Sequence, residues 1–250
     1  MTMTDQIHIR PFDGLPDCHA CANLQRLIWG GEPTMDEALL LVVMRHGGIA
    51  IGGFDAQNTM LGFAVSILST AHDPHANRGL SQHSHIAAVL PEYKSSGLGA
   101  RLKLAQKDVA LARGINLMTW TFDPLESLNA AFNLRKLGAI GRVYLVNAYG
   151  VMDDELNRGI PSDRFEAEWW MDGSQPWRNG AQTPSAKMEI EIPLDFQALK
   201  RKSLDEALAW RMKTRAQFLA ALGDGYVAVG HAIREDRSFH LLEKYNKPQV

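Results

Sequence analysis

Val89-Leu90-Pro91-Glu92-Tyr93-Lys94-Ser95-Ser96-Gly97-Leu98-Gly99-Ala100 is the stretch on which the reading of this chain turns. An apolar run, His83 to Leu90, reads as a strand and feeds a turn that carries two glycines. From Gly97 to Arg113 the pattern is helical, and Gly114 stops it. Backbone N–H groups at a helix start have no intrahelical acceptor and attract phosphate oxygens, helped by the helix dipole. Glycine lets a phosphate come close to the backbone. The turn therefore reads as a phosphate cradle, and a plain tight strand–helix turn is the alternative reading.

Working outward, Ile7 to Phe12 alternates and predicts a first strand, followed by a helix from about Pro16 to Trp29 that Gly30 and Gly31 end. Thr34 and Glu37 have capping-box spacing and predict a second helix, ending near Gly47. Ile49 to Phe54 and Leu61 to Leu68 predict a hairpin; Ala71 to Gln82 is polar and predicts a loop. Ile115 to Phe122 is a fifth strand. Asp123, Pro124 and Glu126 then read as N-cap, first-turn proline and third-position glutamate of a helix that ends at Gly138. Arg142 to Val151 and Phe165 to Met171 are further strands. Gly173 to Ser185 is rich in Gly, Pro, Ser, Asn and Gln and reads as a linker or long loop. Past it come a strand (Lys187 to Ile192), a helix capped by Ser203 and Glu206, and a hairpin (Tyr226 to Arg234, Phe239 to Lys244). Leu204, Leu208, Met212, Leu219 and Leu222 predict the apolar face of that helix.

The strand-turn-helix stretch resembles the acyl-CoA motif of the GNAT acyltransferase superfamily, Arg/Gln-x-x-Gly-x-Gly/Ala after a Val-x-Pro strand end. Lys94 stands at the Arg/Gln place, with Gly97 and Gly99 in register. The element order fits that fold as well. The resemblance covers residues 6–172 and implies an α/β (α+β) fold: a mixed, mostly antiparallel central sheet flanked by helices. On this reading 173–185 is a linker or long loop, and 186–250 is a small C-terminal strand-helix-hairpin extension. The resemblance implies that the amides of Ser95, Ser96, Gly97, Leu98, Gly99 and Ala100 cradle the CoA pyrophosphate. It also implies that the backbone of Ala87, Ala88, Val89 and Leu90 pairs with the pantetheine arm like an added strand. The co-substrate would be acetyl-CoA or another short acyl-CoA, with no metal. Asn129 would bond to pantetheine and Phe132 would pack on it. Leu134 falls where the family often has a tyrosine that protonates the departing thiolate, which leaves the general acid in question.

His83 and His85 lie two apart on the same predicted strand, so both imidazoles are expected on one face. Imidazole accepts a proton from an ammonium near neutral pH, which an amine nucleophile requires. The pair is similar to the His-x-His strand of arylalkylamine N-acetyltransferases. His85, nearer the turn, is expected to be the principal base and His83 its relay. Tyr149, past the end of the sixth strand, is the candidate acid. A backbone N–H near Val89 is expected to hold the oxyanion. The expected activity is transfer of an acyl group from CoA to a primary amine of a small molecule or amino acid. A non-catalytic acyl-CoA binder is the alternative.

Composition limits the other classes. A net charge of −2 leaves no basic footprint for nucleic acid or an anionic membrane. No run of about 18 apolar residues predicts a span, and the polar start Met1 to Asp5 predicts no signal peptide, so a cytoplasmic location is expected. Cys18 and Cys21 have Cys-x-x-Cys spacing near a helix start. Two small semi-apolar residues on a helix are the stronger reading, and a thiol–disulfide redox pair is the alternative. His72, Asp73 and His75 read as a solvated loop rather than metal ligands. The amphipathic helix of the extension is expected to shape the acceptor side or a homodimer contact.

Overall fold

A computed structural model describes residues 7–71, 73, 75–154, 156–181 and 183–245. The chain forms two compact units, 1–118 and 119–250. The linker-like segment 173–185 thus lies inside the second unit, where the Ser185 amide donates to the Lys244 carbonyl at 2.7 Å. No helix among the described residues is long and apolar enough to cross a membrane.

The first unit contains β1 (His8–Pro11), α1 (Leu15–Trp29), α2 (Glu37–Arg45), β2 (Ile49–Phe54), β3 (Met60–Thr70), β4 (Leu80–Val89) and α3 (Leu98–Ala112). Its strands run antiparallel in the order β1-β2-β3-β4. β2 is buried along its whole length, which is why its sequence is a continuous apolar run rather than an alternation. One face, with Ala50, Phe54, Phe63 and Val65, packs on Cys18, Cys21 and Leu24 of α1 and Leu40 and Val43 of α2. Against the other lies α3. A Cβ at Gly53 would stand 2.9 Å from the Leu98 side chain, and one at Gly62 3.3 Å from that of Leu102, so the missing side chains admit the helix.

Both cysteines are fully buried and free. Burial pushes both thiols up, Cys21 to about 12, so neither supplies a thiolate near neutral pH. The packing reading of Cys18 and Cys21 holds, and the redox alternative falls. Two local expectations also change. Asp36, not Thr34, caps α2, its carboxylate accepting the Leu39 amide at 2.8 Å. The polar loop is shorter than expected, since Leu80 to Gln82 already belong to β4.

β5 (Leu117–Phe122) carries the chain from the first unit into the second. The second unit contains α4 (Ser127–Ala130), which continues as a π-helical segment (Ala131–Lys136), then β6 (Ile140–Leu145), β7 (Arg164–Trp170), β8 (Ala186–Ile192), α5 (Phe196–Lys202), α6 (Leu204–Gly223), β9 (Tyr226–Arg234) and β10 (Arg237–Lys244). β6 to β10 are joined antiparallel in the order β7-β6-β9-β10-β8. β6 ends at Leu145, so the expected strand to Val151 is instead a strand followed by a turn. Glu126 occupies the N-cap of α4, not Asp123. The Asp123 carboxylate is held by Arg211 and lies 3.6 Å from Arg164.

That ion pair inverts the expected face of α6. Ala207, Arg211, Thr214, Phe218 and Ala221 are the buried residues, and Leu204, Met212 and Leu219 are exposed. Small residues let the helix come close, Phe218 joins Tyr144 and Phe165 in an aromatic cluster, and Asp123 compensates the buried Arg211 guanidinium. A leucine count treats Arg211 as solvent-facing, so it selects the opposite side.

His240 on β10 is fully buried; its Nε2–H donates to the Pro124 carbonyl at 2.7 Å, leaving Nδ1 with no partner. Burial pulls its pKa down to about 4, and burial followed by Arg135 lowers His231. Above about pH 6.5 both folded and unfolded His240 are neutral. As pH falls from there toward 4, only the unfolded chain gains the proton, so stability drops across that window. Denaturant titrations should show the native state losing about 2 kcal/mol more between pH 6.5 and 5 than a His240→Gln variant does. Equal pH slopes in the two proteins would show that His240 does not titrate on unfolding.

Candidate functional site

β4 and the turn after it hold most of the residues singled out from sequence. Pairing with β3 is regular on both sides of His85, with Ser84 opposite Ser66 and Ile86 opposite Val65, and His85 is the unpaired residue of a β-bulge between them. His83 stands opposite Ile67. The two-residue alternation expected for His83 and His85 is thus broken at the bulge. The rings are nevertheless close, with centroids 6.5 Å apart and planes tilted by 45°. His85 is exposed and His83 half-buried. Burial, then His85, then Lys103, lower the His83 pKa, which keeps this imidazole neutral and able to accept a proton at neutral pH.

Lys103 of α3 is a member of the site that sequence reasoning missed. It is only 6% exposed, and its Nζ donates to Ser84 Oγ at 2.5 Å, from the residue between the two histidines. Burial pulls it down to about 7. The signal in the sequence was a lysine on the inward side of a helix whose neighbours at Ala100 and Gln106 are buried as well.

Gly97 is the N-cap of α3, in the left-handed region at φ 87°. The first intrahelical acceptor is its own carbonyl, which takes the Arg101 amide at 3.1 Å. Ser96 Oγ accepts the Leu98 amide at 3.2 Å, so Gly99 and Ala100 hold the first-turn amides that the helix cannot satisfy. A Cβ added at Gly97 or Gly99 would meet no atom within 4 Å. Protein packing therefore does not require glycine at position 99, and the space above its backbone is open. Lys94 and Ser95 are exposed, and Ser95 has φ 66°. A run of amides at a helix start, with open space and a lysine beside it, suits a polyphosphate. Ala87, Ala88 and Val89 pair through β3 with Ala64, Phe63 and Gly62, and the Leu90 amide donates to the Leu61 carbonyl.

Asn129, Phe132 and Tyr149 belong to the second unit. Asn129 is exposed on α4, and Phe132 is half-buried in the π-helical segment. That segment adds a residue to a turn, so counting back from Gly138 at α-helical spacing shifts the register of everything before it. Leu134 is 2% exposed and is core. Tyr149 lies in the turn after β6; its hydroxyl shares a 2.6 Å hydrogen bond with Thr121 Oγ1, and the Arg164 guanidinium lies 5.5 Å from its ring. Of the loop cluster, His72 lies outside the described residues, and the Asp73 carboxylate accepts the His75 amide at 2.9 Å.

No protein-family model and no curated protein matches the chain. Solved structures do. An acetyltransferase assigned to the GNAT family from Desulfovibrio desulfuricans aligns with a TM-score of 0.51 at 15% identity, over 66% of this chain and 99% of that one. An aminoglycoside 6'-acetyltransferase type Ii gives 0.51 at 19%, over 67% and 99%. A chain of the NatC complex bound to Gag peptide and CoA gives 0.50 at 16%, over 66% and 98%. The chain has the GNAT acetyltransferase fold, and in each comparison about a third of it has no counterpart. At these identities the likeness defines the fold, and the chemistry has to come from the residues.

The two glycines should separate in a stability measurement. Gly97→Ala forces a side chain into positive φ and should cost about 1 kcal/mol, while Gly99→Ala, in the first turn of α3, should be neutral or slightly stabilising. Denaturant midpoints of the two variants that fall together would contradict the assigned backbone.

Proposed function

We propose that this chain is an acyl-CoA-dependent N-acyltransferase that moves an acetyl or other short acyl group to a primary amine of a small molecule or amino acid. The observation that carries the reading is the α3 start. Its first-turn Gly99 and Ala100 amides have no intrahelical acceptor, the space above the Gly99 backbone is open, and the turn directly follows a strand that carries two neighbouring histidines. An acyl-CoA bound there would supply an activated thioester, so no covalent enzyme intermediate is needed. Lys94 and the amides of Ser95 to Ala100 would hold the pyrophosphate, and the backbone from Ala87 to Leu90 the pantetheine arm. Asn129 and Phe132 would add contacts to that arm.

His85, the exposed member of the pair, is the proposed base that takes the proton from the attacking amine. His83, held neutral, is its relay. Tyr149 is the proposed acid for the thiolate, and its bond to Thr121 gives the hydroxyl a fixed direction. A leucine in the core at position 134 favours a second reading, a non-catalytic acyl-CoA binder whose C-terminal residues 186–250 serve a partner. Thiol release from acetyl-CoA with a panel of amines separates the two.

Cofactor binding is best tested at Gly99, where bulk and charge enter open space without backbone strain. Gly99→Glu should weaken CoA at least about tenfold by calorimetry with an unchanged melting temperature. Undiminished affinity would move the phosphates elsewhere. His85→Ala should lower kcat by roughly 100- to 10,000-fold. Because the His83 pKa is lowered, its acidic limb in the pH–rate profile should lie below about 6.5, the rate falling as the imidazole gains its proton. Wild-type kcat in the His85→Ala protein would end the histidine mechanism.

A further inference from the structure

The second unit contains a cavity of about 410 Å³ between the 146–162 segment and α6, a size that suits a small molecule. Val151, Met152, Ile160 and Pro161 give it apolar walls, and Arg215 is the one charged residue among those lining it. Val151 is 94% exposed, so an apolar side chain of this loop is presented to solvent rather than to the core.

Arg215 is set in place from behind. Its Nε and Nη2 donate to the two oxygens of Asp163, both at 2.8 Å. Asp163 is fully buried and is fixed in turn by the Tyr144 hydroxyl at 2.8 Å and the Asn147 amide at 2.9 Å. The same segment is pinned by Ser162, which bonds to Asn147 and to the Gly150 carbonyl. The guanidinium fork is thus gripped on one edge, and Nη1 has no partner among the described residues. Nη1 therefore offers two directed N–H donors at the cavity wall, the arrangement that takes a carboxylate. A single free guanidinium nitrogen, with the Asp163 charge just behind, suits a monoanion better than a phosphate dianion.

We infer that this cavity binds a small molecule that carries a carboxylate beside an apolar side chain. The chemistry fits an apolar α-amino acid. Arg215 holds the carboxylate and the Val151, Met152, Ile160 and Pro161 walls hold the side chain. Selectivity for that ligand then resides partly on α6, an element that follows the linker-like segment in sequence.

Calorimetry on the full chain tests this with L-leucine and L-leucinamide, which share the side chain and the amine and differ in the carboxylate. L-leucine should bind at least about tenfold more tightly. Arg215→Lys keeps a charge for Asp163 but removes the fork, and should weaken L-leucine at least about tenfold. Should that variant melt early, Val151→Asp, at an exposed position, places a like charge against the carboxylate and should weaken L-leucine by as much with an unchanged melting temperature. Equal affinity for the two probes, no binding of either, or full L-leucine affinity in the Val151→Asp protein overturns the assignment. CoA titrated into the same protein keeps the readings apart. CoA binding without L-leucine binding removes this pocket alone, and L-leucine binding without CoA binding removes the acyltransferase reading alone.

Discussion

The first unit depends on how closely α3 can approach the strands beneath it. Leu98 and Leu102 sit where the side chains of residues 53 and 62 would otherwise be, and both leucines are almost wholly buried. Core packing tolerates little change of volume, so this contact fixes the position and tilt of the helix. The turn from Lys94 to Gly97 has to meet that helix start, and its direction is set with it. The start of α3, with open space above the Gly99 backbone, is consequently placed by the packing of neighbouring residues. A phosphate bound there, as proposed, would need no induced closure, because its donors are held by apolar contacts formed on folding.

Electrostatics governs the second unit. Arg211 and Asp163 are both fully buried, and each lies beside a group of opposite charge, Asp123 and Arg215. Removing one partner would leave a buried charge without compensation, which is far costlier than losing an exposed pair. The network ties α6 to β7 and to the segment that follows β6, elements distant in sequence. Apolar packing around Phe165 and Phe218 supplies the bulk of the contact, and the charges select one register for it.

Much of this was legible from residues alone. The strand-turn-helix stretch, the β2–β3 hairpin, the α1 boundaries and the terminal hairpin all follow from local signals that the tertiary structure leaves in force: glycine stops, apolar periods and turn residues. What escaped depends on long-range partners. Asp123 reads as a cap from its neighbours in sequence; its Oδ1 does accept the Leu125 amide, but Glu126 takes the N-cap position and Arg211, eighty-eight residues away, holds Oδ2. The buried face of α6 was misread for the same reason. The spacing of Cys18 and Cys21 favours packing over reactive thiolates, and the contact of α1 with α2 and the sheet agrees. Lys103 and Arg215 carried no motif at all. Their significance comes from a serine on β4 and an aspartate at the start of β7.

The bulge at His85 changes the parity of β4. Before it, even-numbered Gln82 and Ser84 share the side of Ser66; beyond it, odd-numbered Ala87 and Val89 lie on that side, opposite Ala64 and Gly62. His83 is therefore in phase with Ile86 and Ala88, not with Ala87. His85 is the supernumerary residue that absorbs the phase change: pairing upstream and downstream would be the same without it. Neither the ladder nor the core accounts for a side chain at this position, so its identity is free to be set by whatever it meets in solvent.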